Sequence, residues 1–118
     1  DSLLLRIPWL LAALEDDRPA IRRFAWRSLR DIDTALDETP FATGLAAPLA
    51  HFDYTGALAD RQAAVATIAQ AFAAIDKSDW PAPAPETALD ASYQLDPAVR
   101  AGLETLGRRS DKQIDIGE

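Results

Sequence analysis

The only histidine in the chain, His51, is the first candidate for catalytic chemistry. It stands near Asp53, and an aspartate can orient a histidine toward a serine hydroxyl in a nucleophilic triad. The sequence contains five serines but no G-x-S-x-G turn or other nucleophile signature. A single histidine without any cysteine also supplies too few ligands for a zinc site. We therefore expect His51 to be a structural residue in a turn, and we predict no catalytic residue.

A second candidate is the acidic stretch that begins at Asp31, which starts like a calcium-binding loop. Such a loop needs a glycine at its sixth position and a glutamate at its twelfth, where this chain has Leu36 and Ala42. The five glycines are scattered, so no glycine-rich phosphate-binding loop is present. The sequence therefore predicts neither a bound metal nor a cofactor.

The most suggestive polar feature is a row of arginines on one predicted helix. Arg23, Arg27 and Arg30 are spaced i, i+4, i+7, with Arg22 adjacent and Trp26 nearby. Guanidinium groups beside an aromatic ring are typical of sites that bind a carboxylate, a phosphate or a partner loop. The alternative is a solvated face whose arginines pair with acidic neighbours such as Asp16 and Asp31, each pair contributing about 0 to 1 kcal/mol.

Trp80 precedes three alternating prolines, whose fixed dihedral angles favour an extended, polyproline-like path. Its ring is expected either to anchor this segment on the helices of the same chain or to bind a partner. Three other aromatic residues, Trp9, Phe24 and Phe72, are at helical spacing. We expect those three to lie in the core, because aromatic side chains there usually bury apolar area.

Apolar residues recur with the helical period in the first third of the chain and predict two helices, over residues 2–14 and 19–32. Pro8 is either a first-turn proline or a kink in the first helix. Pro19 suits the first position of the second helix, with Asp17 or Arg18 before it. A tight turn between the two helices predicts an antiparallel hairpin. The apolar positions of the second helix are Ile21, Phe24, Ala25, Leu29 and Ile32.

The rest of the chain is less regular. Residues 33–51 predict a loop with at most a short helix between Phe41 and Leu49, and residues 58–75 predict a third long helix. The apolar seam of that helix is Leu58, Val65, Ile68, Phe72 and Ile75. Asp96 and Pro97 suit the start of a last helix. We predict a helical region over residues 1–75, a proline- and alanine-rich strap over 76–97, and a helix and tail of the same domain over 98–118.

Length and composition limit the classes of protein that the chain can belong to. Its 118 residues suffice for one core, and the apolar stretches are shorter than the roughly 20 residues of a membrane-spanning helix. A net charge of −7 disfavours nucleic acid as a partner. The absence of cysteine leaves the compartment open, with the cytoplasm favoured. Ten arginines against two lysines suggest a bacterial source, and the lack of any methionine suggests a piece of a longer product.

The segment LLAALEDDRPAIRRFAWRSLRDI resembles one unit of the HEAT/armadillo-like repeat family, including bacterial lyase-type HEAT-like repeats, over Pro8 to Ile32. A later segment, FDYTGALADRQAAVATIAQAF, looks like a degenerate second unit. The resemblance implies that the alanine permits close helix crossing and that Asp16 caps the second helix and pairs with Arg22. The residues that match the pattern are Leu14, Asp16, Pro19, Ile21, Arg22, Ala25 and Leu29.

These observations predict an all-α fold of antiparallel helix hairpins, stacked as a short HEAT-like superhelix or packed as a helical bundle. The expected function is a non-catalytic interaction or scaffolding module that binds another protein or the rest of its parent chain. The candidate binding residues are Arg22, Arg23, Trp26, Arg27, Arg30 and Trp80. Two alternatives are a HEAT-like protein associated with nucleic acid and an accessory or lyase-like enzyme subunit.

Overall fold

The structure, a computed structural model, describes residues 2–81, 89 and 93–95. The predicted last helix and tail, and most of the predicted strap, lie outside these residues. The described part contains four α-helices: α1 (Ser2–Ala13), α2 (Pro19–Leu36), α3 (Ala46–Ala50) and α4 (Leu58–Ala73). It contains no β-strand, only an isolated antiparallel bridge between Leu89 and Leu95. The prediction of a mostly helical chain is thus confirmed.

Helix α1 packs one face on the rest of the molecule. Its side chains Leu4 and Ile7, together with Leu14 just beyond its end, are fully buried. Pro8 lies in the middle of the helix, so the alternative of a first-turn proline was wrong. None of the helices in the described residues has the length and apolar character that a membrane crossing requires.

The predicted turn between α1 and α2 is present at residues 14–18. The carboxylate of Asp16 accepts hydrogen bonds from the backbone N–H of Arg18 at 2.8 Å and from its side-chain Nε and Nη2 at 3.0 Å. Arg18 is the N-cap residue of α2 and Pro19 follows at the first helical position, as predicted. The turn is compact because one carboxylate fixes both the main chain and the side chain of the residue before the proline.

Helix α2 is longer than predicted and buries a different face. It continues to Leu36, four residues past the expected end at Ile32. The expectation that Phe24 belongs to the core was wrong, since 64% of its surface is exposed. The buried positions of α2 follow the spacing i, i+3, i+7, i+10, i+14. They are Arg22, Ala25, Leu29, Ile32 and Leu36.

The segment after α2 is organised by one carboxylate of that helix. Asp33 accepts hydrogen bonds from the Thr43 hydroxyl and, at 3.0 Å, from the backbone N–H of Leu45. Gly44 lies between them with φ of +63°, a left-handed conformation that favours glycine. The five-residue helix α3 follows, close to the short helix predicted between Phe41 and Leu49.

Helix α4 confirms the third predicted helix, although its first apolar residue, Leu58, is 58% exposed and does not belong to the buried seam. Val65, Ile68 and Phe72 are buried. Helix α1 packs mainly on α2, α3 lies against both α2 and α4, and α1 also touches α4. The described residues therefore share one core. Its buried apolar members are Leu4, Ile7, Leu14, Ala25, Leu29, Ile32, Leu36, Leu45, Leu49, Phe52, Val65, Ile68, Phe72, Trp80 and Tyr93.

Candidate interaction surface

Arg22 fixes the orientation of α2 from within the molecule. Only 5% of its surface is exposed. Its Nη1 donates to the carbonyl oxygens of Asp16 and Asp17, and its Nε donates to that of Tyr54, all at 2.9 Å. Hydrogen bonds from a guanidinium to main-chain oxygens offset the cost of removing the charge from water. Arg22 thus ties the turn before α2 to the segment before α4.

Two sequence predictions about Arg22 need correction. Arg22 does not share the outward face of the other arginines, because its side chain lies against the core and contacts the backbone of its own chain. The ion pair of the Asp16 carboxylate joins it to Arg18, whereas Arg22 contacts the carbonyl oxygen of Asp16. Arg22 is therefore left out of the candidate surface.

The outward side of α2 carries three exposed arginines, Arg23, Arg27 and Arg30, and the exposed ring of Phe24. We call these four residues the arginine face. Within the described part of the chain, no ion pair links the three arginines to Asp16 or Asp31, and none of them donates a hydrogen bond. Solvated ion pairing between neighbours, the alternative prediction for this face, is thus absent from the described residues.

Trp26 lies at one edge of the arginine face and connects it to α3. Its Nε1 donates to the carbonyl oxygen of Leu49 at 2.9 Å. Its ring lies 6.0 Å from that of Tyr54, at an interplanar angle of 37°. The guanidinium carbon of Arg30 is 4.8 Å from the centre of the Trp26 ring, within the range of a cation–π interaction. Trp26 is therefore half-buried and held in place, and it supports Arg30 from one side.

Phe24 is the member of the surface that sequence analysis missed. At 100° per residue it falls on the same side of α2 as Arg23 and Arg27, and away from Ala25 and Leu29. A helical projection centred on those two small and apolar positions would have placed Phe24 outside. An aromatic ring exposed between guanidinium groups gives the arginine face an apolar component, which a purely solvated charged helix lacks.

Trp80, the last predicted binding residue, lies in the core with only 7% of its surface exposed. Its ring is 5.8 Å from that of Phe72 and 5.3 Å from that of Tyr93, in an edge-on arrangement with Tyr93. Of the two predictions for Trp80, the structure shows the anchor within the chain. Trp80 is not part of the arginine face, and its contacts leave little of the ring for a partner.

Lys77 completes this anchor at the end of α4. Its Nζ donates to the carbonyl oxygens of Phe72 at 2.6 Å and Ile75 at 3.1 Å, and it lies 4.6 Å from the centre of the Phe72 ring. Desolvation by burial lowers the pKa of the Lys77 amine. A cation at this place also interacts favourably with the negative end of the helix dipole. The contacts explain how the chain leaves α4 toward Trp80.

His51 and Asp53 lie in the turns around α3. His51 is exposed at the C-cap of α3. Asp53 Oδ1 accepts hydrogen bonds from the Thr55 hydroxyl at 2.7 Å and the Thr55 N–H at 2.9 Å, and these bonds lower the pKa of its carboxyl. Asp53 thus stabilises a turn. Nowhere in the described residues do three or more potential metal-ligating side chains cluster.

Comparisons of the chain with protein-family models, with curated proteins and with solved structures found no match. The resemblance to HEAT-like repeats therefore remains a prediction from sequence. What the structure itself defines is a mostly helical chain with one exposed arginine face on its second helix.

Proposed function

We propose that this chain is a non-catalytic protein-interaction or scaffolding module, and that the arginine face contacts another protein or the rest of the parent chain. The observation that carries this proposal is the combination of three exposed arginines, free of ion pairs among the described residues, with a phenylalanine that is 64% exposed. Arginine and aromatic residues are enriched at the energetic centres of protein interfaces.

The rigidity of α2 supports the proposal. Arg22 fastens the start of the helix to two other segments, and Trp26 fastens its middle to α3. A partner therefore meets side chains on a fixed backbone, so less conformational entropy is lost on binding. Complete burial of a phenylalanine contributes about 1.5 to 3 kcal/mol, which gives Phe24 enough apolar area to matter in a contact.

A HEAT-like stack is our proposal for the larger architecture. The α1–α2 hairpin, with its proline-marked turn and buried Ala25, is the unit that would repeat. Several apolar side chains of α1 are only partly buried, and further helices stacked on them would remove that surface from water. They are Leu3, Leu5, Leu10 and Leu11.

Site-specific cross-linking in the source cell tests the proposed contact. A photoreactive amino acid replaces Phe24 in the complete gene product, and a matched variant carries it at Gln70, which is exposed on α4. We expect a discrete adduct with another polypeptide, or within the parent chain, from position 24 only. The change Arg27→Glu should remove it. Equal adducts from both positions, or no adduct from position 24, would rule out the arginine face as the contact.

A further inference from the structure

We infer that the arginine face binds an acidic polypeptide segment that also carries an apolar side chain, and that Arg30 anchors one of its carboxylates. This inference rests on the proposed function, because it names the partner's chemistry at the same surface. Helix α2 contains four arginines and two aspartates and is thus net positive, in a chain whose net charge is −7. A positive surface on a negative protein favours a local anionic segment over a long polyanion, which the rest of the chain repels.

The spacing of the arginines sets the spacing of their partners. Arg23 and Arg27 are separated by about 6 Å along the helix axis, and Arg27 and Arg30 by about 4.5 Å. A partner helix with carboxylates at i, i+4 and i+7 presents the same intervals. The planar guanidinium forms two parallel hydrogen bonds with a carboxylate, so each arginine can bind one acidic side chain.

Arg30 differs from the other two arginines because it is already positioned. Its guanidinium lies 4.8 Å from the centre of the Trp26 ring, and that ring is held by the hydrogen bond to Leu49. Stacking uses the flat face of a guanidinium and leaves its N–H edges available for a carboxylate. Arg30 therefore loses less side-chain freedom on binding than Arg23 or Arg27. Trp26 acts through Arg30 as a positioning residue.

Phe24 determines the apolar part of the partner. A ligand with only acidic groups would leave this ring in water, whereas a leucine or similar side chain beside the carboxylates would cover it. The same requirement separates an acidic protein segment from a nucleic acid backbone, which offers charge at regular intervals but no aliphatic group.

Synthetic helical peptides provide the test with the full chain. The probe carries glutamates at i, i+4 and i+7 and one flanking leucine, and matched peptides carry glutamine or lysine at the same three positions. We expect the glutamate peptide to bind at low salt at least about tenfold more tightly than the glutamine peptide, and to weaken as salt rises. Equal affinities, or no binding of the glutamate peptide at low salt, overturn the inference.

Conservative variants test the role of Arg30. Arg30→Lys keeps the charge but loses the planar fork, and it should weaken binding by about tenfold. Arg23→Lys should weaken it by about two- to threefold, and the control Arg6→Lys, an exposed position of α1, should change nothing. If Arg23→Lys and Arg30→Lys have the same effect, Arg30 is not the anchor.

A double-mutant cycle separates positioning from a general structural effect of Trp26. Trp26→Phe keeps a ring but loses the hydrogen bond to Leu49. It should weaken peptide binding in the natural chain and add little to Arg30→Lys, since both changes remove the same pre-organised group. Equal weakening in both backgrounds would contradict a positioning role.

Two further results separate this inference from the proposed function. Duplex DNA that binds more tightly than the glutamate peptide, and loses affinity with Arg27→Glu, would assign the surface to nucleic acid and overturn both. A position-24 adduct in the cell together with no preference for glutamate peptides would overturn only the acidic partner. The contact surface would then stand with a partner of different chemistry.

Discussion

Arg22 and Tyr54 are joined by a hydrogen bond of 2.9 Å, from the guanidinium Nε on α2 to a main-chain oxygen 32 residues later in the sequence. The same guanidinium holds the carbonyl oxygens of Asp16 and Asp17 in the preceding turn. One buried side chain therefore connects three segments, and it determines which side of α2 remains outside for the arginine face.

Replacement of Arg22 tests this connection. Arg22→Ala should lower the free energy of unfolding by about 3 kcal/mol, because it removes charge-assisted hydrogen bonds and leaves main-chain oxygens without partners. The neighbouring Arg23→Ala, at an exposed position, should change it by no more than about 0.5 kcal/mol. Denaturant unfolding of both variants measures the difference. Similar values for the two positions would contradict the structural role of Arg22.

Phe24 should behave in the opposite way. Because its ring is exposed, Phe24→Ala should leave the free energy of unfolding within about 0.5 kcal/mol of the natural chain. The same change should weaken binding of the glutamate and leucine peptide by about tenfold, the equivalent of about 1.4 kcal/mol of lost apolar contact. Leu58→Ala, at another exposed apolar position, is the control and should not alter peptide binding. A large loss of stability from Phe24→Ala would place the ring in the core.

Trp80 should matter for stability and not for the partner. Trp80→Ala removes a buried ring that packs against Phe72 and Tyr93, and we expect a loss of about 3 kcal/mol in the free energy of unfolding. Under conditions where the variant is still folded, its affinity for the glutamate peptide should equal that of the natural chain. A selective loss of peptide binding with unchanged stability would restore Trp80 as a binding residue.

The turn at Asp16 predicts a pH dependence of stability. Burial raises the pKa of the Asp16 carboxyl, but its hydrogen bonds and charge interaction with Arg18 and the charge of Arg22 together lower it below the model value of 3.8. In the pH range between the folded and unfolded pKa values the unfolded chain binds more protons, so the stabilisation is complete above about pH 4 and is lost as the pH falls.

Unfolding measurements from neutral pH to about pH 2 check this prediction against Asp16→Asn, which can still accept hydrogen bonds but does not ionise. The difference in the free energy of unfolding between the two chains should shrink as the pH falls below about 4. A difference that stays constant down to pH 2 would show that the Asp16 charge contributes nothing to the turn.

Local sequence signals were sufficient to locate the helices. The apolar period and Pro19 predicted two helices separated near residue 17, and the structure has α1 and α2 on either side of residues 14–18. These features depend on neighbours within one or two helical turns. The i, i+4, i+7 spacing likewise placed Arg23, Arg27 and Arg30 on one face, because helix geometry alone fixes that relationship.

Only the tertiary structure decided which face of α2 is buried and which residues reach across the chain. The period of α2 is compatible with a core stripe through Phe24 or through Arg22, and the carbonyl oxygens that make burial of Arg22 possible come partly from Tyr54, distant in sequence. The attachments of Trp26 to Leu49 and of Trp80 to Phe72 are of the same kind. A buried polar group or a ring gains its stability from partners that only the folded chain brings together, and periodicity carries no information about them.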